Sequence, residues 1–123
     1  MKTSTLTGAA LDWAVAKCEG KTDGEFVTHD EFYWDDEGLQ RAIKYTPSTN
    51  LAQGGPIIER EDIEVKQGSP LYFPKGNEKG DYYEALWIAG KQHGTTPLIA
   101  AMRYYVASKL GAEVDVPECL RHF

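Results

Sequence analysis

Tyr45-Thr46-Pro47-Ser48-Thr49-Asn50-Leu51-Ala52-Gln53-Gly54-Gly55-Pro56-Ile57-Ile58-Glu59-Arg60-Glu61 packs a turn, competent helix caps, a double glycine and an apolar pair into one short run. Pro47 forces Thr46 away from helical angles. Ser48, Thr49 and Asn50 each carry a side-chain oxygen that can accept a backbone amide, so a short helical turn is expected to begin there. Gly54-Gly55 is expected to interrupt it, with Pro56 opening a second turn through Ile57, Ile58 and Arg60. These signals fix a backbone shape, and no catalytic motif accompanies them.

Working outward toward the C-terminus, residues 63–66 alternate apolar and polar, which reads as a strand. Leu71-Tyr72-Phe73 reads as a second strand closed by Pro74, and residues 75–81 as a hairpin-type loop. Residues 82–88 are rich in aromatic and apolar side chains and read as one further strand. Thr96 then caps a long helix that starts at Pro97, carries Ile99, Met102, Val106 and Leu110 on one stripe, and stops at Gly111. The tail from Glu113 is extended and breaks at Pro117.

Toward the N-terminus, residues 39–44 read as a short helix or strand. Residues 19–37 hold eight acidic side chains together with Phe26, Phe32, Tyr33 and Trp34. That acidic-aromatic excursion, at about 20–38, reads as a loop with a hairpin arm over 25–34, or as a surface for a basic partner. Before it, residues 7–19 form a helix with Leu11, Ala14, Val15 and Cys18 at i, i+3, i+4 and i+7. Trp13 lies off that stripe, at the core edge or facing a partner. The expected fold is α+β: a single domain over 1–123, with a small antiparallel β-sheet packed with helices in a sandwich-like arrangement.

Bulk properties bound the function. A chain of 123 residues is long enough to bury a core without metal or disulfide support. Lys and Arg number 13 against 19 Asp and Glu, a formal net charge of −6, which opposes non-specific nucleic-acid binding. Cys18 and Cys119 lack metal-ligand spacing and read as two reduced thiols, or as a bridge from tail to first helix. Polar residues crowd 2–7 where a signal peptide would be apolar, and no apolar run approaches the roughly 20 residues of a membrane span. A cytosolic setting without membrane contact is expected.

Three ordered blocks carry a resemblance. The run Pro47-Ser48-Thr49-Asn50 through Gly54-Gly55-Pro56-Ile57-Ile58-Glu59-Arg60-Glu61 resembles the core motif of the NinX family of lambdoid phages. Thr96-Pro97-Leu98-Ile99-Ala100-Ala101-Met102-Arg103 through Val106-Ala107-Ser108-Lys109-Leu110-Gly111 is similar to it too, as is Leu6-Thr7-Gly8-Ala9-Ala10-Leu11-Asp12-Trp13-Ala14-Val15-Ala16. The match spans most of the chain except the acidic excursion and the 75–81 loop. More loosely, the pattern resembles phage domains described as an α-β-α sandwich. The resemblance implies a phage or prophage origin and a role in the host cytoplasm, and it implies no reaction. At Asn50-Leu51 the chain departs from the Asp-Trp the family typically carries, which removes a carboxylate and an indole from that place.

The residues support anion binding better than catalysis. Two expected helix starts, Gly54-Gly55-Pro56-Ile57-Ile58 and Gly94-Thr95-Thr96-Pro97, place small residues where backbone amides are free for an anion, with threonine hydroxyls as further donors. Ser48, Thr49, Asn50 and Gln53 join Gly54, Gly55, Thr95 and Thr96 as candidate ligand contacts. Arg60 and Arg103 are candidates for bidentate contacts to phosphate or carboxylate. Tyr45, Trp87 and Tyr104 are candidates for stacking on a base. Together they would make a site for a small anionic, nucleotide-like ligand. The alternative is capping and turn chemistry alone, with both arginines paired to Glu59, Glu61 or Asp62. A host protein engaging the acidic-aromatic surface is the second partner expected, and self-association into a homo-oligomer the third. The carboxylates Glu59, Glu61 and Asp62 read as a solvated cluster and His29 has no zinc spacing. Cys119 and His122 sit in a tail, and Ser48 lacks a nucleophile elbow. No catalytic residue, metal or cofactor is therefore expected.

Overall fold

The computed structural model describes residues 1–21, 26–28, 31–36, 41–68, 71–74, 81–84, 86–117 and 120. Among the described residues three α-helices, α1 (Gly8–Cys18), α2 (Leu51–Arg60) and α3 (Pro97–Leu110), are accompanied by a short 3-10 turn at Thr3–Thr5 and eight short strands. The strands are β1 (Phe26–Thr28), β2 (Glu31–Asp36), β3 (Arg41–Lys44), β4 (Lys66–Gln67), β5 (Leu71–Pro74), β6 (Asp81–Glu84), β7 (Trp87–Ala89) and β8 (Gln92–Gly94). All pairings are antiparallel and fall into three small sheets, β1-β2-β3, β4-β7-β8 and β5-β6. The α+β class expected from the sequence is the class observed, with its strands divided among three sheets.

The core forms where α3 packs on β7 and β8 from one side and on α1 from the other, while β2 lies against α1. Along α1 every residue from Ala9 to Ala16 is buried, Trp13 included. Alanines dominate this helix and recur as Ala100 and Ala101 on α3, so the two helices can approach closely around Leu11, Val15, Met102 and Val106. The segment before α1 is tied to the segment after α3. Thr3 N–H donates to Ala112 O at 2.8 Å, Thr3 Oγ1 donates to Gly111 O at 2.7 Å, and Lys2 bridges Glu113.

Helix limits follow local chemistry. Thr96 Oγ1 accepts from Ile99 N–H at 3.1 Å to start α3, and Gly111 ends it at a φ of +93° that a β-carbon would oppose. Two readings are corrected. First, α2 is one helix through Gly54, Gly55 and Pro56, where the sequence suggests an interruption. Tertiary packing of Gly54 and Ile57, both buried, overrides the weak local propensity. Second, the strand read over 82–88 is two strands, β6 and β7, which pair with different partners. The strand read at 63–66 begins only at Lys66. The hairpin arm in the acidic excursion is present as β1-β2, and of the segment 39–44 the described residues 41–44 form strand β3. Cys18 is a free thiol, which burial pushes up to about 11, and Cys119 lies outside the described residues.

Candidate functional site

The turn over 46–50 is built from the inside. Thr49 N–H and Asn50 N–H both donate to Thr46 O, at 3.1 and 2.8 Å. Gln53 reaches back from α2 and clamps the turn, its Oε1 accepting from Thr46 N–H at 2.7 Å and its Nε2 donating to Lys44 O at 2.8 Å. Asn50 Oδ1 accepts from Ala52 N–H at 2.9 Å, so Asn50 is the cap among the three candidates. Gly54 lies so close to this turn that a β-carbon would stand 2.4 Å from Pro47 O and 2.7 Å from Leu98 Cδ2. That contact draws the start of α3 beside the start of α2.

Between the two helix starts lies a cavity of about 370 Å³, lined by Ser48, Thr49, Leu51, Thr96, Pro97 and Leu98. Among the described residues, no ionisable side chain lines it. Each cap takes one amide of its helix, Ala52 for Asn50 and Ile99 for Thr96. Among the described residues no hydrogen bond occupies the Leu51 or Leu98 amide, and Pro97 has none to offer. Helix starts carry partial positive charge, so the mouth of this groove favours an anion while its walls favour an apolar body. Its volume is at the small end of the range for ligand sites, roughly 300–1,000 Å³.

Beneath the groove sits a residue that is not among the candidates drawn from the sequence. Asp12 is 3% exposed, and its Oδ1 accepts from Ser48 N–H at 2.9 Å. Burial pushes its carboxyl up to about 6, against the Ser48 hydroxyl and amide, which favour the charged form. A signal for it is present in the sequence: Asp12 is the sole polar residue in Ala9-Ala10-Leu11-Asp12-Trp13-Ala14-Val15-Ala16.

Of the residues expected in one site, the structure brings Ser48, Thr49 and Thr96 to the groove, with Asn50, Gln53 and Gly54 shaping its edge. Gly55 faces Leu51, whose Cδ1 would lie 3.4 Å from an added β-carbon, and Thr95 is exposed in the bend before α3. The others stand elsewhere. Tyr45 is buried edge-on to Phe32, ring centroids 6.5 Å apart, and burial raises its phenol above the usual range. Trp87 is half-buried on β7 against the core.

Arg60 is bound to Glu19 through two bonds of 3.0 and 2.6 Å, to Glu61 at 2.9 Å and to the Tyr105 hydroxyl at 3.1 Å. Arg103 donates to Leu6 O at 2.9 Å and His93 O at 2.7 Å, and burial lowers its pKa. Tyr104 lies over Gly90, between cavities of about 300 and 430 Å³ that the groove does not share. Local sequence has no means of predicting which surface each of these long side chains joins.

A helix-and-sheet fold that presents two helix starts to one uncharged cleft is the class of protein these observations define. The chain belongs to the family described as NinX of bacteriophage P22, whose pattern matches residues 2–109. That span holds α1, α2 and the groove, and nearly all of α3. No curated protein matches the chain. Among the described residues, no helix is long and apolar enough to cross a membrane, and no three His, Cys, Asp or Glu side chains are grouped to hold a metal ion.

Proposed function

We propose that this phage accessory protein acts in the host cytoplasm as a non-enzymatic binder of a small anionic ligand of the nucleotide type. The groove between the starts of α2 and α3 is the observation that carries the reading. Its two unoccupied amides, on Leu51 and Leu98, suit an anionic group, and its uncharged walls suit a flat or apolar body. Binding here does not use Arg60 or Arg103, whose hydrogen bonds are made elsewhere, so the affinity rests on amides and shape. Sequestration of a host nucleotide defence signal is the concrete form.

Native mass spectrometry of protein purified gently from infected cells tests this reading. A nucleotide-sized mass that is released intact on denaturation is the expected result, and the same spectrum counts the copies in the assembly. Calorimetry against cyclic and ADP-ribose-type nucleotides follows. Leu51→Glu, at a position 69% exposed, should weaken binding at least tenfold by setting a carboxylate at the mouth without disturbing the fold. Folded protein that arrives bare and gives no heat with any nucleotide overturns the reading.

The exposure of Leu51 beside an uncharged groove favours one second reading, in which a host protein inserts an apolar side chain there. A host partner that Leu51→Glu releases and no nucleotide displaces would move the assignment to that reading.

A further inference from the structure

Asp12 is a buried carboxyl group. Among the described residues no cation pairs with it. On α1 itself, Lys17 lies over the Trp13 ring at 5.2 Å. On α2, Arg60 binds Glu19 and Glu61, and on α3 Lys109 binds Glu61 while Arg103 binds backbone carbonyls. Tyr45, from the segment before the turn, feels the Asp12 charge as a smaller effect behind its own burial, Glu19 and Tyr105. Glu19 and Tyr105 belong to the cluster at the other end of α1, about 10 Å along the helix axis at 1.5 Å per residue.

What Asp12 does hold is one wall of the groove. Its partner Ser48 is 1% exposed and lines the cavity. The buried Ser48 hydroxyl lies near enough to the same carboxyl to favour its charge, yet among the described residues it makes no hydrogen bond of standard geometry in this conformation. A carboxylate accepts from an amide about twice as strongly as a neutral carboxyl does. A protonated carboxyl has, besides, a hydrogen to donate, and the idle Ser48 hydroxyl oxygen is the acceptor beside it. The two protonation states therefore require different hydrogen bonding at the residue that joins α1 to the groove.

We propose that Asp12 is a positioning residue that couples the shape of the groove to a proton: ionised, it draws the Ser48 amide against α1, and protonated, it slackens that tie and lets the Ser48-Thr49 wall move. The coupling is a property of the wall itself. Its consequence, anion affinity that changes across mildly acidic pH, rests on the ligand reading above.

The burial-driven rise of this carboxyl to about 6 places the transition where NMR can follow it in the folded protein. The experiment is a titration of the intact chain from pH 4 to pH 8, reading the Asp12 carboxyl carbon and the amides of Ser48, Thr49, Leu51 and Leu98. The expected result is a common midpoint, with Asp12→Asn removing the inflection from those four amides while leaving the rest of the spectrum folded. The proposal falls if Asp12 titrates near its ordinary value of 3.8, if the groove amides do not share its midpoint, or if their inflection survives in Asp12→Asn. Should Asp12→Asn fail to fold, the wild-type titration decides alone. Inorganic sulfate, whose charge is constant over this range, is then added at each pH. Coupled amides in a chain that binds neither sulfate nor any nucleotide of the calorimetric panel would refute the ligand reading and leave the coupling standing, whereas anion binding with uncoupled amides would do the reverse.

Discussion

At the C-terminal end of α1, Glu19 receives two bonds from Arg60 and one from the Tyr105 hydroxyl at 2.5 Å, with Arg60 and Lys109 both lying over the Tyr105 ring. Two turns earlier on the same helix, Asp12 accepts the amide of Ser48 from the groove wall and meets no cation among the described residues. Burial works to raise the Glu19 carboxyl, but the Arg60 and Tyr105 bonds outweigh it and hold Glu19 below the usual range. At Asp12 burial prevails. One helix thus carries a carboxyl paired for stability and another left ready to titrate. The ends of α2 divide in the same way, with the Gly54 contact at one and the Arg60 ion pairs at the other.

The groove end is the one that substitution should break most severely. Gly54→Ala places a β-carbon 2.4 Å from the Pro47 backbone oxygen and 2.7 Å from Leu98 Cδ2, so α2 must move off the 46–50 turn and Leu98 must also give way. A loss of about 2–3 kcal/mol is expected, the upper part of the usual range for overpacking, because the clash is with backbone. Urea denaturation measures it, and a change under about 0.5 kcal/mol, the ordinary surface value, would show that the approach is loose.

Acid titration should sharpen the contrast between the two carboxyls, because their linkage signs are opposite. Asp12 is raised from 3.8 to about 6, so within that window the folded chain holds a proton the unfolded chain releases, and stability falls as pH rises. Glu19 is lowered from 4.5, so its contribution is present above that value and is lost as pH falls through its folded value. Stability should therefore peak near pH 4–5. Relative to wild type, Asp12→Asn should gain about 2–3 kcal/mol between pH 4 and pH 7, since a tenfold change in proton affinity is worth about 1.4 kcal/mol. A difference that stays flat with pH would mean that Asp12 behaves as a solvated carboxyl. The charge that strengthens the local tie to Ser48 costs the fold as a whole.

How much of this is legible in the sequence depends on the range of the cause. α3 can be read to the residue, because Thr96, Pro97 and Gly111 act on amides and angles within a few positions of themselves. α2 reads as broken, because Gly54-Gly55-Pro56 is locally unfavourable and the compensating contact comes from Pro47 and from Leu98 on α3. Strand β8, Gln92–Gly94, carries no apolar alternation and is defined by its pairing with β7. In the site, the run of cap-competent residues at Ser48, Thr49 and Asn50 and the cap at Thr96 mark the two helix starts that flank the groove, although only Asn50 of the first three acts as the cap. Charge alone marks the arginines, and distance in sequence hides that Glu19 captures Arg60. Asp12 is hidden differently, by a stripe argument that weighs apolar positions and ignores a polar residue set among them.

At the paired end the expected effects are smaller. Tyr105→Phe removes the hydroxyl that donates to Glu19 and accepts from Arg60, while keeping the ring. Because Arg60 is half-exposed, solvent screens much of the cluster, and a loss of about 1 kcal/mol is expected. A double-mutant cycle with Glu19→Gln should return a coupling of about 0.5–1.5 kcal/mol. Zero coupling would reduce the cluster to a solvated surface and remove half of the comparison.

The smallest effect should have the opposite sign and occur one residue from the largest. Gly55 neighbours Gly54 in the same helix, yet a β-carbon there would meet only Leu51, at an ordinary 3.4 Å from Cδ1. Alanine costs less backbone entropy in a helix than glycine, so Gly55→Ala should stabilise the chain by about 0.5–1 kcal/mol. The added methyl sits against Leu51 and should also stiffen the exposed side chain at the groove mouth. Adjacent alanines that raise and lower the urea midpoint in this order would locate the tight contact at Gly54 alone. Equal losses at both positions would mean that α2 is strained along its whole first half, and the groove would then owe its shape to the double glycine rather than to a single point of approach.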